Sequence, residues 1–243
     1  MDRYNLPKIL YSNIDMVKPY PNMVKPVDIM LNITAFFPGG KGLWLEEYSD
    51  VFPNILVLGQ DFSTVDNYKS MLRNESTDLE CRTWRNLIKL FNEAGIDLKE
   101  CFYSNVFMGL RETISMTGRF PGFKDRKFVM RNVDFLSFQI ETMKPVAIIT
   151  LGRPASELLA KASKLDLDCW KSGRALSVPN NGLQKNIRFN EHICTCVALE
   201  HTSLRHLNVK RRVYENSSGV YHGNTAEVEM LKDLTKILKC CSI

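Results

Sequence analysis

Four short apolar runs punctuate the chain: ILVLG at 55–59, FYSNVF at 102–107, VAIITLG at 146–152 and TCVALE at 195–200. Each is apolar almost throughout, without alternation, which is the pattern of strands buried on both faces of a parallel sheet. Between them the apolar positions return every three or four residues and predict helices. Residues 83–94 place Trp84, Leu87, Ile88, Phe91 and Ala94 on one face. Residues 127–143 do the same with Phe128, Val129, Val133, Leu136, Ile140 and Met143. A third helix is predicted after Gly152, where Pro154 suits a first turn and Leu158, Leu159 and Ala162 follow. Residues 227–238 close the chain as an amphipathic helix. Strands alternating with helices give βαβ units, whose ligands bind beyond the carboxyl ends of the strands. The residues that follow each strand therefore matter most: Gln60-Asp61-Phe62-Ser63 after the first, Asn105 at the end of the second, and His201-Thr202-Ser203 after the fourth.

Two stretches fall outside this pattern. Residues 1–50 hold Tyr4, Tyr11, Tyr20, Phe36, Phe37 and Trp44 among prolines, and MVKP occurs twice, at Met16 and Met23. Two copies of four residues do not make a repeat architecture. Residues 1–50 are expected to form an extension packed on a single domain that spans 51–243. Residues 165–190, with Pro179-Asn180-Asn181-Gly182, are expected to be a long irregular connection.

Composition narrows the class. The chain has 243 residues, 44% of them hydrophobic and 24% charged, as in an ordinary globular enzyme of one domain. No apolar run approaches the roughly 18–20 residues of a membrane span. The opening MDRYNLPKILYSN lacks a basic segment followed by an apolar one, so no secretory signal is expected and the reading is cytoplasmic. Seven cysteines, an odd number without a C-x-x-C pair, fit free thiols in a reducing compartment. Cys194 and Cys196 would share one strand face, where packing explains them better than a metal. The net charge of +5 is modest, but it is unevenly spread. Residues 203–212 hold Arg205, Lys210, Arg211 and Arg212 with no acid, and Arg119, Lys124, Arg126, Lys127 and Arg131 cluster around the single Asp125. Such clusters suit a phosphate backbone, and a solvated helix face explains either one equally well.

Several chemistries are absent. No G-x-G-x-x-G follows the first strand, no G-x-x-x-x-G-K-[ST] exists, and neither G-x-S-x-G nor H-E-x-x-H occurs. Of the four histidines, only His201 follows a strand so directly.

The strand-end residues sit in longer runs. VLGQDFSTVDNY (57–68) resembles the first signature of the uracil-DNA glycosylase superfamily, where Gly-Gln-Asp ends the first strand. SNVFMGLRE (104–112) is similar to the family's second-strand segment, and LGRPASELL (151–159) to its Leu-Gly-x-x-Ala element. LEHTSLRHLNVKRR (199–212) resembles the second signature, His-Pro-Ser followed by a loop that enters DNA. Each motif is weak alone; the four occur in family order over roughly residues 51–240. The resemblance implies a three-layer α/β/α sandwich around a four-stranded, mostly parallel sheet. It further implies a monofunctional DNA glycosylase that flips a pyrimidine out of DNA and hydrolyses its glycosidic bond, with no metal and no cofactor.

Glycosidic cleavage builds positive charge on the sugar and negative charge on the departing base. A carboxylate can orient water and stabilise the cation, and a hydrogen-bond donor to the base oxygen stabilises the anion. The resemblance gives the first role to Asp61 and the second to a neutral His201. Gln60 would donate to the base through its main chain, and Asn105 would read the base edge, its amide offering both donors and an acceptor. Leu204 and Arg205 stand where the family carries the wedge that fills the gap left by the extruded base. Ser203, Lys210, Arg211 and Arg212 would bind phosphates. Residue by residue there are bland readings: a turn cap for Asp61, a partly buried histidine, a strand-end asparagine and ordinary surface cations.

The chain also departs from the family. In the uracil-specific branch Pro-Tyr-His follows the aspartate and the tyrosine excludes the thymine methyl; here Phe62-Ser63-Thr64 follows. Ser63 would leave the wall beside the base C5 position open, and Phe62 could stack on the base. Thr202 replaces the proline of the second signature, and no iron–sulfur cysteine pattern is present. The expected substrate is uracil, as in repair, or a C5-modified pyrimidine such as a disguised phage cytosine, as in antiviral defence. The alternatives are a catalytically inactive DNA-binding member of the fold and a nucleoside hydrolase. A monomer is expected, since the lesion site must face bulky DNA.

Overall fold

The computed structural model of the chain describes residues 5–27, 37, 52–72 and 81–241. Its first half runs through α1 (Asn5–Ser12), β1 (Val24–Lys25), β2 (Ile55–Gly59), α2 (Val65–Leu72), α3 (Arg82–Ala94), β3 (Cys101–Asn105), β4 (Leu110–Arg111) and α4 (Arg126–Met143). The second half runs through β5 (Ala147–Leu151), α5 (Arg153–Ala162), α6 (Arg174–Ser177), β6 (Leu183–Phe189), β7 (His192–Leu199), α7 (Arg205–Asn208), β8 (Val213–Asn216), β9 (Gly219–His222) and α8 (Gly223–Cys241). The architecture is mixed α/β, with a central five-stranded sheet in the order β3-β2-β5-β7-β6. Strands β3, β2, β5 and β7 are parallel, and β6 joins β7 antiparallel.

Both faces of the sheet are covered, which is why its strands read as unbroken apolar runs. Alternate residues enter two separate cores. Leu56, Leu58, Phe102, Ile148, Cys196 and Ala198 join Phe128, Val133 and Leu136 of α4 and Leu158 and Leu159 of α5. Ile55, Val57, Tyr103, Ile149, Val197 and Leu199 meet Leu87, Leu90 and Phe91 of α3 and Met230, Leu231 and Leu234 of α8. Cys194 packs beside Cys196 in the first core, a packing role for the pair. Helix ends are closed conventionally: Asp125 accepts from Phe128 N at 2.9 Å ahead of α4, and Gly95, at φ 72°, ends α3 in the left-handed conformation.

Two expectations need correction, the strand count and the irregular stretch at 165–190. The sheet has five strands rather than four, because β6 lies inside the stretch read as irregular. Only Ile187 and Phe189 of β6 are buried; Lys185, Asn186 and Arg188 are exposed, and the register shifts between Gln184 and Ile187. An edge strand blunted by charges and a bulge carries no apolar run to find. The second strand ends at Asn105, as expected, although the apolar run continues to 107. Val106 N and Phe107 N donate to Gly59 O and Gln60 O at 3.0 Å each.

The described part of residues 1–50 contributes to the first core through Leu6, Leu10, Val17, Val24, Val27 and Phe37. Arg131 of α4 donates to Val17 O at 3.0 Å and to Pro19 O at 2.6 Å. That guanidinium is committed inside the chain and is not free for phosphate. Strand β1 pairs with β4, and so ties the N-terminal segment to Arg111. Tyr4, Phe36 and Trp44 lie outside the described residues. Among the described residues no helix is long and apolar enough to cross a membrane.

Candidate active site

Parallel pairing puts the carboxyl ends of β2 and β3 side by side, with Gly59 opposite Asn105. Glycine at 59 leaves room for that side chain: a Cβ there would overlap Asn105 Oδ1 and displace it. Asn105 is 6% exposed, yet its amide hydrogen-bonds to no described residue. Its amide atoms are not sealed from solvent, so water or a ligand can satisfy them. The chain beyond Asn105 is fixed from α4, where Asn132 Oδ1 accepts from Met108 N at 2.8 Å.

Asp61 is held from three directions. Ser63 N donates to Oδ1 at 2.8 Å, across a turn that puts Ser63 at φ 71°. Gln60 Nε2 donates to Oδ2 at 2.7 Å, and Arg111 approaches with Nη2 at 2.7 Å from Oδ2 and Nε at 3.1 Å from Oδ1. Arg111 is itself positioned by the Thr117 and Gly118 carbonyls, at 2.9 and 2.8 Å. The side chains of this ion pair are only 4% and 6% exposed. A carboxylate has about four acceptor positions, so these donors account for its capacity. Gln60 acts on Asp61 through its side chain, which also reaches Gly118 O at 3.1 Å. The water-orienting role expected of Asp61 therefore requires one donor to leave, and Gln60, the more exposed of the two donor side chains, is the one free to swing.

His201 enters from the end of β7. Gly152, at φ 87°, donates its N–H to Leu199 O at 2.7 Å and passes so close that a Cβ would lie 3.1 Å from His201 Cβ. Ser203 N donates to His201 Nδ1 at 3.3 Å, and Ser203 Oγ lies 2.8 Å from the same atom. A backbone N–H can only donate, so Nδ1 is the acceptor and the neutral ring carries its proton on Nε2. Burial pushes the imidazole below its ordinary 6.5, and the opposite charge of Asp61 works against that shift. Asp61 and His201 follow the carboxyl ends of β2 and β7, two parallel strands of one sheet with β5 between them. Because the folded value is depressed, protonation opposes the folded state, and the stability present above pH 6.5 is lost as pH falls below it. We predict that activity is level above about pH 6.5 and declines below it, together with stability. An NMR titration placing the His201 midpoint above 6.5 would sink this prediction.

Several other expected site residues lie elsewhere. Phe62 is 3% exposed and packs edge-on against Tyr68 at 6.2 Å, so it is part of the core and not a platform for a base. Ser203 is partly exposed and contacts the histidine through its N–H and Oγ. Arg205 and Arg212 are 8% and 3% exposed, and both pair with Glu227, which is fully buried on α8. Arg212 also donates to the Ala175, Leu176 and Ala198 carbonyls at 2.8–2.9 Å. The expected phosphate and wedge roles of these two arginines are corrected by that geometry, because their guanidiniums face inward. Leu204 is 41% exposed, and Lys210 and Arg211 are exposed, so these three are available to a partner. Ser63 is partly exposed beside Asp61.

Sequence reading missed Arg111 and Glu227. Each had a signal: Arg111 is a lone cation closing an apolar run, and Glu227 is an acid in register with Met230, Leu231 and Leu234 on a helix face. A cavity of about 200 Å³, lined by Ile55, Ile96, Asp97 and Leu238, lies at the amino end of β2, away from this rim. Among the described residues no group of histidine, cysteine or acidic side chains could hold a metal ion. No family model matches the chain, and neither does any curated protein.

Proposed function

We propose that this chain is a DNA glycosylase on the three-layer α/β/α plan of the uracil-DNA glycosylases, acting as a monomer on DNA in the cytoplasm. The observation that carries the reading is His201: a neutral imidazole whose Nε2–H pairs with no described residue, on the same sheet rim as Asp61 and an Asn105 amide that no described residue partners. Asn105 pairs with the edge of the extruded base. His201 Nε2–H donates to a base carbonyl as electrons move onto the leaving base, a contribution on the order of 10²–10³ in rate. Asp61 faces the sugar as it becomes cationic. Water adds to the anomeric carbon while the glycosidic bond breaks, its proton goes to solvent, and the base anion is later protonated by water. The small Ser63 leaves room for a substituent at C5, so the substrate is uracil or a C5-modified pyrimidine, in repair or in defence against modified phage DNA.

One observation favours a second reading. A carboxylate saturated by Arg111, Gln60 and Ser63 is what a DNA-binding protein without chemistry would keep. A base-release assay separates the two. Wild type and Asp61→Ala are offered uracil DNA, unmodified DNA, and DNA with hydroxymethylated or glucosylated cytosine, and the freed base is identified by mass spectrometry. The expected result is release of one base by wild type and none by Asp61→Ala. Tight DNA binding without release from any substrate would establish the binding reading instead.

A further inference from the structure

Residues 112–119, between β4 and Phe120, carry features that the proposed chemistry does not use. Ile114 is fully exposed, at 102%, and Met116 is 58% exposed. Large apolar side chains held in water forgo hydrophobic stabilisation, and nothing else among the described residues covers these two. The loop presenting them is built rather than loose. Thr113 Oγ1 donates to Ser115 O, and Ser115 Oγ to Thr117 O, at 3.3 Å each. Its base is fastened by Arg111 to Thr117 O and Gly118 O, and by Gln60 to Gly118 O. The two side chains that clamp Asp61 therefore also hold this loop.

The surroundings are cationic. The only acids nearby in sequence are occupied: Glu112 pairs with Lys25 at 3.1 Å, and Asp125 caps α4. Arg119 is exposed, with its guanidinium 3.7 Å above the Phe123 ring. Lys124, Arg126 and Lys127 are exposed, and no described carboxylate pairs with them. Apolar tips amid uncompensated cations fit a partner with an anionic outline and flat apolar interior, which describes stacked bases between phosphates.

We propose that Ile114 and Met116 insert into the base stack beside the extruded nucleotide, while Arg119, Lys124, Arg126 and Lys127 hold the adjoining phosphates. The inference rests on the glycosylase reading and makes this loop a second insertion element, in addition to the exposed Leu204 near His201. The test uses the full chain and a short duplex with a synthetic abasic nucleotide next to 2-aminopurine, whose fluorescence rises when a neighbour unstacks. Ile114→Ser/Met116→Ser is expected to bind on the order of tenfold more weakly, to lose the fluorescence rise and to keep the wild-type salt slope. Lys124→Ala/Lys127→Ala is expected to keep the fluorescence rise and to flatten the salt slope by about two. All four side chains are exposed, so thermal midpoints should match wild type. A serine variant that binds and unstacks like wild type, from a chain that still releases base, overturns the insertion alone. A wild-type chain that neither binds DNA nor releases base overturns the glycosylase reading, and the insertion with it.

Discussion

Glu227→Ala is expected to destabilise the chain by about 3–5 kcal/mol, the usual consequence of removing one partner of a buried ion pair. Glu227 Oε1 accepts from Glu200 N at 2.7 Å and lies 3.4 Å from Arg212 Nε, while Oε2 pairs with Arg205. One carboxylate thus joins α8, the end of β7 and the segment that follows His201. Without it two buried guanidiniums lose their paired carboxylate and keep only the charge of Glu200 and, for Arg205, that of Glu93, and a main-chain N–H next to the histidine is orphaned. Burial already holds both arginines at about 10, and they remain charged at neutral pH. In a chain of this length the loss corresponds to a fall in thermal midpoint on the order of 10 °C. Glu227→Gln keeps an acceptor for Glu200 N–H and should lose less. Urea unfolding measures both. A loss under about 1 kcal/mol for the alanine variant would mean that the network does not anchor this segment.

Apolar replacement should separate the two arginines. Well-packed apolar residues often substitute for a buried ion pair at no cost. At Arg212 that route is closed, because the Ala175, Leu176 and Ala198 carbonyls would lose their donor. Outside its ion pair with Glu227, Arg205 donates among the described residues only to Asn224, through its side chain and its carbonyl, so it is the member that a methionine can replace.

This network also marks what the sequence could not convey. The strand ends were legible because a buried parallel strand leaves an unbroken apolar run, and topology then delivers Asp61, Asn105 and His201 to one rim. The direction in which a charge faces is not written locally. Arg205 and Arg212 stand in a basic stretch that reads as solvent-facing, and their partner lies on another element. Phe62 follows the aspartate where a base platform was expected, but the left-handed turn at Ser63 accompanies a ring buried against Tyr68. Arg111 was legible as a residue and not as a partner, because the pairing of β1 with β4 and the bridge from Thr64 to Arg111 are long-range. Strand β6 escaped because an edge strand is specified by what it pairs with.

Arg111→Met is expected to lose about 3–5 kcal/mol of stability, and adding Asp61→Asn to it is expected to restore most of that loss. The single variant leaves a carboxylate, 6% exposed, with only Gln60 and Ser63 N as donors. The double variant removes the charge and keeps an acceptor for Ser63 N–H, while the amide nitrogen that takes the place of Oδ2 can donate to Gln60 once that amide flips. Asp61→Asn alone should cost less, since Arg111 retains the Thr117 and Gly118 carbonyls. The coupling between the two positions should approach the upper part of the roughly 0.5–3 kcal/mol range for contacting residues. Turnover should not follow stability. If Arg111 positions the carboxylate for chemistry, Arg111→Met slows base release on the order of tenfold or more, and the double variant, though well folded, stays slower by about 10²–10³. If Arg111 instead quenches Asp61, as the binding reading requires, Arg111→Met releases base where wild type releases none. A double variant that folds and cuts like wild type would leave Asp61 a structural residue and His201 as the remaining candidate for the chemistry at this rim.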